Sequence, residues 1–314
     1  MELIKVKDVR KSFGKNVILE DVNLVIEEGD ILGVIGQSGS GKSTLLNLLT
    51  GFMEPTEGEI TYYSSAVKGP RNLNDEIHHL KKEIGFTPQH NSFYPQLTVE
   101  ENLIHFGKLY GVNSSTLMNN LNNLLQITKL ADHRHKLALH LSGGMQKRLD
   151  ISCSLIHKPK VLVLDEPTAD LDPLLQEEIL NLLQSVNKQG VTIVIASHHL
   201  DSIENICNKV AIVHKGKIHS AGSLEDVRKP FFRDHFTISI SSGQNKDQII
   251  AKLRKMPVQR IVDQGNKILI YPTQTEKTIA ALLTIIKEEN LYLHDLDLRH
   301  PSLNEVFQKI AQEK

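Results

Sequence analysis

Between residues 36 and 51 the chain reads GQSGSGKSTLLNLLTG. Gly36, Gly41, Lys42 and Ser43 stand at the spacing G-x-x-x-x-G-K-[ST], whose residue types suit one task, gripping a polyphosphate. Glycines at 36, 39 and 41 let the backbone turn through positive φ and aim main-chain N–H groups inward as an anion nest. The leucine-rich helix that starts near Gly41 adds the positive end of its dipole. Lys42 is a mobile point charge for β- and γ-phosphates, and the Ser43 hydroxyl is a candidate Mg²⁺ ligand. A Gly/Ser linker has no reason to be bracketed by ILGVI and LLNLL. Two further stretches carry chemistry. VLVLDE ends in Asp165 and Glu166. Downstream of a phosphate loop, the first acid suits a Mg²⁺ site and the second suits a base for an attacking water. LSGGMQKR, residues 141 to 148, opens a second helix with Ser142, Gly143 and Gly144, another ready anion site. Two such sites in one domain are explained if two subunits grip one nucleotide between them.

The elements that must hold these residues are legible from pattern. ILGVI (31–35), VLVLDE (161–166) and VTIVIAS (191–197) are short, branched, apolar runs of the kind found in buried parallel strands. LIKVKDV and VNLVIEE alternate like half-buried strands around turn-like FGKN, and GFMEPTEGEITYY reads as a turn followed by a strand. From about 98 to 157 the spacing becomes helical, and Thr98 with Glu101 forms a capping-box pattern. PLLQEEILNLLQSVNKQG is an amphipathic helix with Gly190 at its C-terminal end. KVAIVHKGKIHSAG reads as a hairpin around Lys215-Gly216. Near KPFFRDH the organisation changes. Beyond it the pattern reads β-α-β-β-α-β plus a last helix, the ferredoxin-like order. The expected division is therefore 1–230 with a helical insertion at about 98–157, and 235–314 as a small accessory domain. The fold class is α/β with a mixed sheet, plus a small α+β domain.

Composition narrows the function. The chain has 314 residues, 40% hydrophobic and 23% charged, with formal net charge −1. Such a near-neutral surface carries no field that would draw nucleic acid or anionic lipid. Cys153 and Cys207 make neither a disulfide framework nor a metal cluster. The fifteen histidines include the pairs His78-His79, His133/His135 and His198-His199, with no H-E-x-x-H among them. No 18-residue apolar run and no signal peptide is visible.

With these stretches in hand, residues 1 to 230 resemble the nucleotide-binding subunit of ABC transporters, a P-loop NTPase of ABC type. GQSGSGKS resembles Walker A, Gln89 in GFTPQHN the Q-loop glutamine, LSGGM the ABC signature and VLVLDE Walker B. ADLD resembles the D-loop ending in Asp172, His198 in IASHHL the switch histidine, and Phe13 in KSFG the aromatic that stacks on adenine. His199 could be mistaken for the switch residue, but the motif alignment favours His198. Departures are small: Met145 stands where Gln is commonest, Asp170 where small residues are usual, and Gln37 where Pro or Arg is common.

The resemblance implies ATP as ligand, with Mg²⁺. It puts Lys42 and the loop residues Gly36, Gln37, Ser38, Gly39, Ser40, Gly41, Ser43 and Thr44 on the phosphates, and Ser43, Gln89 and Asp165 on the metal. It puts Glu166, His198, Gln89 and Lys42 at the chemistry, and Ser142, Gly143, Gly144 and Asp172 on a second ATP across a head-to-tail dimer. Phe13 keeps a second reading, a core aromatic in a turn.

PTADLDP, GFMEPTEGEI and the tail HPSLNEVFQKI resemble the ATPase subunits of ABC-2-type exporters, a group serving drugs, antibiotics, polysaccharides and lipids. That likeness implies export, a separate polytopic membrane permease subunit, a homodimer or paired ATPase subunit, and a peripheral place on the cytoplasmic face of the membrane. In the family, the region after Gln89 receives the permease's coupling helix. Phe93, Tyr94 and Phe106 are the candidate lining, with internal packing as the alternative for each. Two other readings stay open: a membrane-bound mechanotransmitting ABC ATPase, and a soluble ABC ATPase acting on DNA or the ribosome.

Overall fold

The computed structural model describes residues 1–63, 70–73, 80–231, 235–240, 246–263, 267–288, 293–299 and 302–312. His78 and His79 lie outside them. The chain divides into two compact units, Met1–Val227 and Arg228–Lys314.

The first unit carries two sheets. Strands β1 (Glu2–Phe13), β2 (Asn16–Glu27), β4 (Glu57–Tyr63) and β5 (Pro70–Asn72) form an antiparallel sheet in the order β2-β1-β4-β5. β1 and β2 extend past the expected LIKVKDV and VNLVIEE, because Phe13 pairs with Asn16 across a tight turn and several bulges keep the ladder going. The second sheet takes β3 (Ile31–Ile35), β6 (Ile84–Thr87), β7 (Val161–Asp165), β8 (Thr192–Ser197), β9 (Lys209–His214) and β10 (Lys217–Ser223) in the order β10-β9-β3-β8-β7-β6. β10 is antiparallel to β9, and the other pairings are parallel. Every residue of β3, β7 and β8 is buried, as continuous apolar runs require in a sheet covered on both faces. Each such Val, Leu or Ile contributes about 1.5–3 kcal/mol by leaving water. On one face of the sheet, Leu32, Val34, Val161, Val163, Val194 and Ala196 join Leu45, Leu46, Leu48 and Leu49 of helix α1 (Lys42–Leu49) in one core.

The helices of the middle region are α2 (Val99–Leu109), α3 (Ser114–Ile127) and α4 (Gly143–Leu155). Their starts follow local chemistry. Thr98 and Glu101 form a complete capping box on α2, Asn113 caps α3, and Ser142 caps α4 by accepting from the Met145 N–H. Helix α5 (Pro173–Asn187) follows β7, and α6 (Leu200–Ile206) follows β8. Helix α7 (Leu224–Arg228) ends the unit's regular structure.

The second unit has β11 (His235–Ile240), α8 (Lys246–Leu253), β12 (Val258–Asp263), β13 (Lys267–Pro272), α9 (Thr275–Glu288), β14 (Leu293–Arg299) and α10 (Leu303–Gln312). Its antiparallel sheet runs β12-β13-β11-β14. With the β-α-β-β-α-β chain order this is ferredoxin-like. Leu253, Ile268, Ile270 and Leu282 are its buried centre.

Candidate active site

Four parallel strands deliver the site at their carboxyl ends, the usual place for ligands in α/β sheets. β3 ends at Ile35, which pairs with Ser197, so Gly36 and His198 leave the sheet side by side. Asp165 pairs with Ala196, and Thr87 of β6 pairs with Leu164, two residues before Gln89. The phosphate-loop stretch, the two acids, Gln89 and His198 are thereby gathered from four distant segments.

The loop itself needs glycine at defined points. A Cβ on Gly36 would lie 2.4 Å from the Val213 carbonyl oxygen and 2.5 Å from Ser40 Oγ. Gly41 has φ 107°, and a Cβ there would meet Leu19 Cδ2 at 2.7 Å. Lys42 is buried, and its Nζ donates to the carbonyls of Gly36 at 2.9 Å and Gln37 at 3.2 Å. Burial pushes its pKa down, with Glu166 and Asp165 acting in the opposite direction. Gln37, Ser38, Gly39 and Ser43 are exposed at the loop surface, while Ser40 is buried beneath it.

Glu166 is the centre of the arrangement. It leaves β7 with φ 47°, and its N–H donates to the Ala196 carbonyl at 2.9 Å. A left-handed non-glycine residue stores about 1–3 kcal/mol of strain, and such strain concentrates at functional sites. Its buried carboxylate lies 2.9 Å from His198 Nδ1 and 4.0 Å from Lys42 Nζ. The His198 N–H donates to Glu166 Oε2 at 3.4 Å. Asp165, also buried, accepts from Ser43, and burial raises its carboxyl above the ordinary value. Its Oδ1 is shut off from solvent with no hydrogen-bond partner. Ser43, Asp165 and Gln89 are all oxygen donors, the set that suits a hard divalent cation such as Mg²⁺. Among the described residues no group of three His, Cys, Asp or Glu could hold a metal unaided. Such an ion would need oxygens from another source, as Mg²⁺ takes them from phosphates and water.

A cleft of about 610 Å³ opens over these groups. It brings together Phe13, Ser38, Gly39, Gly41, Lys42, Ser43, Thr44, Gln89, Glu166 and His198. Phe13 is half exposed in the β1–β2 hairpin, which corrects the alternative of a core aromatic. Its ring has Lys11 Nζ over one face at 5.1 Å. Ile18 also lines the cleft, and the sequence reading missed it; its signal was its place on the strand that follows the Phe13 turn. Ser142, Gly143, Gly144 and Asp172 do not line this cleft. Ser142 and Gly143 are exposed at the start of α4. Asp172 accepts from the Leu175 N–H at 3.0 Å as the cap of α5.

The aromatics after Gln89 separate. Phe93 is buried, which corrects its expected place on a docking surface in favour of internal packing. Tyr94 is 47% exposed, edge-on to His105 at 4.7 Å and beside Phe106 at 6.2 Å. No helix among the described residues is long and apolar enough to cross a membrane.

Residues 19–169 match the family model for the ABC transporter, and residues 222–311 match that of the ATP-binding protein DrrA1-3-like C-terminal domain. The linearmycin resistance ATP-binding protein LnrL of Bacillus subtilis (strain 168) is 27% identical over 307 residues, covering 97% of each chain. The Nod factor export ATP-binding protein I of Rhizobium sp. (strain N33) is 28% identical, covering 98% of this chain and 96% of its own length. The methionine import ATP-binding protein MetN of Clostridioides difficile (strain 630) is 35% identical over 227 residues, 72% of this chain and 70% of its own. A solved ATP-binding subunit of an ABC transporter superposes with TM-score 0.65 at 29% identity, covering 73% of this chain and 93% of that one. A dimeric ATP-binding cassette in a post-hydrolysis state, bound to ADP and Pi, does so with TM-score 0.61 at 28% identity, covering 71% of this chain and 99% of that one. The chain belongs to the family of ABC transporter ATP-binding subunits, and it is an ATPase.

Proposed function

We propose that this ATPase powers an exporter, that two such subunits close around ATP, and that a separate polytopic membrane permease subunit receives the motion. The observation that carries the catalytic part is the Glu166 carboxylate, buried 2.9 Å from His198 Nδ1 and 4.0 Å from Lys42 Nζ. Lys42 and the loop amides hold the β- and γ-phosphates. Glu166 accepts a proton from water as the water oxygen attacks the γ-phosphorus, and His198 orients both. The bond from the γ-phosphorus to the β–γ bridging oxygen breaks, leaving ADP and inorganic phosphate. Bound Mg²⁺, held by Ser43, Asp165 and Gln89, would neutralise charge on the phosphate oxygens. Positioning supplies most of the acceleration. Phe13 and Ile18 offer the apolar wall for the base. Ser142, Gly143, Gly144 and Asp172 lie outside this cleft and face the second ATP in the closed pair.

Export rests on coverage. The relatives named for linearmycin resistance and Nod factor export align across nearly the whole chain, small domain included. The methionine import relatives align over a smaller share of it, 72% to 86%. We take 1–230 as the motor and 235–314 as its accessory domain, with the assembly peripheral on the cytoplasmic face of the membrane. The test is Glu166→Gln in the purified chain. Hydrolysis should fall by about 100-fold or more, the share of a positioned base. ATP should convert the variant to a stable dimer on gel filtration. Hydrolysis at the wild-type rate would overturn the assignment.

A further inference from the structure

Gln89 stands on an exposed segment that has no regular structure between β6 and α2. Something must hold its side chain at the cleft. Three residues of α4 hold the backbone and side chains of this segment, 89–92, by direct contact. Lys147, buried in the helix, donates from Nζ to the Gln89 carbonyl at 3.3 Å. Asp150, fully buried one turn on, accepts from the Ser92 N–H at 2.9 Å and the Ser92 hydroxyl at 2.6 Å. Gln146 accepts from Asn91 Nδ2 at 3.3 Å, and its own amide donates to the carbonyls of Ala138 and Leu141. The 146, 147 and 150 spacing places all three on one face of the helix. Asn102 continues the hold, accepting from the Tyr94 N–H and donating to the carbonyls of Tyr94, Leu97 and Thr98.

The chemistry of Lys147 is unusual for a helix that opens on exposed Ser142. Burial pushes its pKa down, and the charges of buried Asp150 and Asp165 and of exposed Asp170 act in the opposite direction. A buried cation is retained only where partners compensate it. Here the compensation is divided between the segment bearing Gln89 and the strand end bearing Asp165.

We propose that Gln146, Lys147 and Asp150 form a strap by which α4 positions Gln89 in its own chain and moves it together with the Ser142 end of the same helix. This rests on the dimer reading above, in which Ser142 meets the second ATP. The consequence is a mechanical link: the α4 end that grips one nucleotide sets the Gln89 that serves the other. Lys147 is a positioning residue, acting through Gln89.

The test compares Lys147→Met, Lys147→Arg and Asp150→Asn in the full chain. Hydrogen exchange without nucleotide should rise at 90–94 in Lys147→Met and Asp150→Asn, while β7 keeps its protection. Lys147→Met should lower kcat by about tenfold to 100-fold, the scale of a misplaced catalytic group, with ATP binding in the absence of metal within about twofold of wild type. Lys147→Arg should restore most of the rate. In the variant that retains some turnover, cooperativity in ATP should fall toward a Hill coefficient of about one. Wild-type exchange and kcat in Lys147→Met would overturn the proposal. So would equal loss of protection at 90–94 and in β7 with no rescue by arginine, because that pattern means general destabilisation. Glu166→Gln run in parallel separates the two claims. If Glu166→Gln is inactive while Lys147→Met is normal, only the strap fails; if Glu166→Gln is active, the underlying reading fails.

Discussion

His157 provides a quantitative check on how the catalytic segment is anchored. It lies just past α4, and its ring stacks on Tyr110 with centroids 3.7 Å apart and planes 7° from parallel. Its Nε2 is 3.2 Å from the Ile84 carbonyl, at the start of the strand that leads to Gln89. Nδ1 is sealed from solvent with no partner. A second proton on the ring would therefore be buried unsatisfied. Burial pushes the pKa from 6.5 down to about 4, only partly offset by the Ile84 hydrogen bond. The unfolded chain thus binds a proton between pH 6.5 and 4 that the folded chain refuses, so stability falls as pH drops through that window. From the two pKa values the loss is about 2.5 kcal/mol at pH 4.5 relative to pH 8, and about 3 kcal/mol at its limit. His157→Phe keeps the stack and removes the proton site. At pH 8 the variant should be about 1 kcal/mol less stable, the worth of the lost hydrogen bond. At pH 4.5 the order should reverse, a swing of about 2.5 kcal/mol between the two conditions. Comparing variant and wild type at the same pH cancels Asp150 and Asp165, whose burial raises their pKa values and acts in the opposite sense. Hydrogen exchange of the β7 amides reads the opening of the first unit. A swing under about 0.5 kcal/mol would refute the reasoning, since the titration requires about five times that.

Gly36→Ala puts a methyl 2.4 Å from the Val213 carbonyl, so the loop must shift and ATP binding should weaken by at least about tenfold, read by nucleotide titration. Asp172→Ala should cost about 1 kcal/mol of stability through the lost α5 cap, measured by chemical unfolding. The same variant should raise the ATP concentration needed to dimerise Glu166→Gln. Tyr94→Glu places a charge on the exposed ring beside His105, so permease-coupled transport should be lost while basal hydrolysis stays within about twofold.

How much was legible in the sequence depended on the range of the interaction. The phosphate loop, the α2 capping box and the Ser142 cap are set by residues three to seven apart, and spacing alone reveals them. β3, β7 and β8 were legible because strands buried on both faces read as unbroken apolar runs. β6 was missed: four residues, IGFT, carry too little pattern, and the Pro-Gln after them reads as loop. Lys147 was missed for a different reason. A lysine in a helix normally faces water, and only the packing of α4 against the Gln89 segment buries this one. The same distance argument explains Phe93, whose Tyr94 neighbour is exposed although both rings look alike in sequence. The left-handed backbone of Glu166 has no local signature at all.

ATP closure in this chain should drive a membrane partner. Affinity purification of Glu166→Gln with ATP and Mg²⁺, from detergent-solubilised native membranes, puts that to proof. Recovery with one polytopic membrane protein in equal amount, with ATP retained, is the expected result. Recovery from the soluble fraction with ribosomes or DNA, and without a membrane protein, would contradict it.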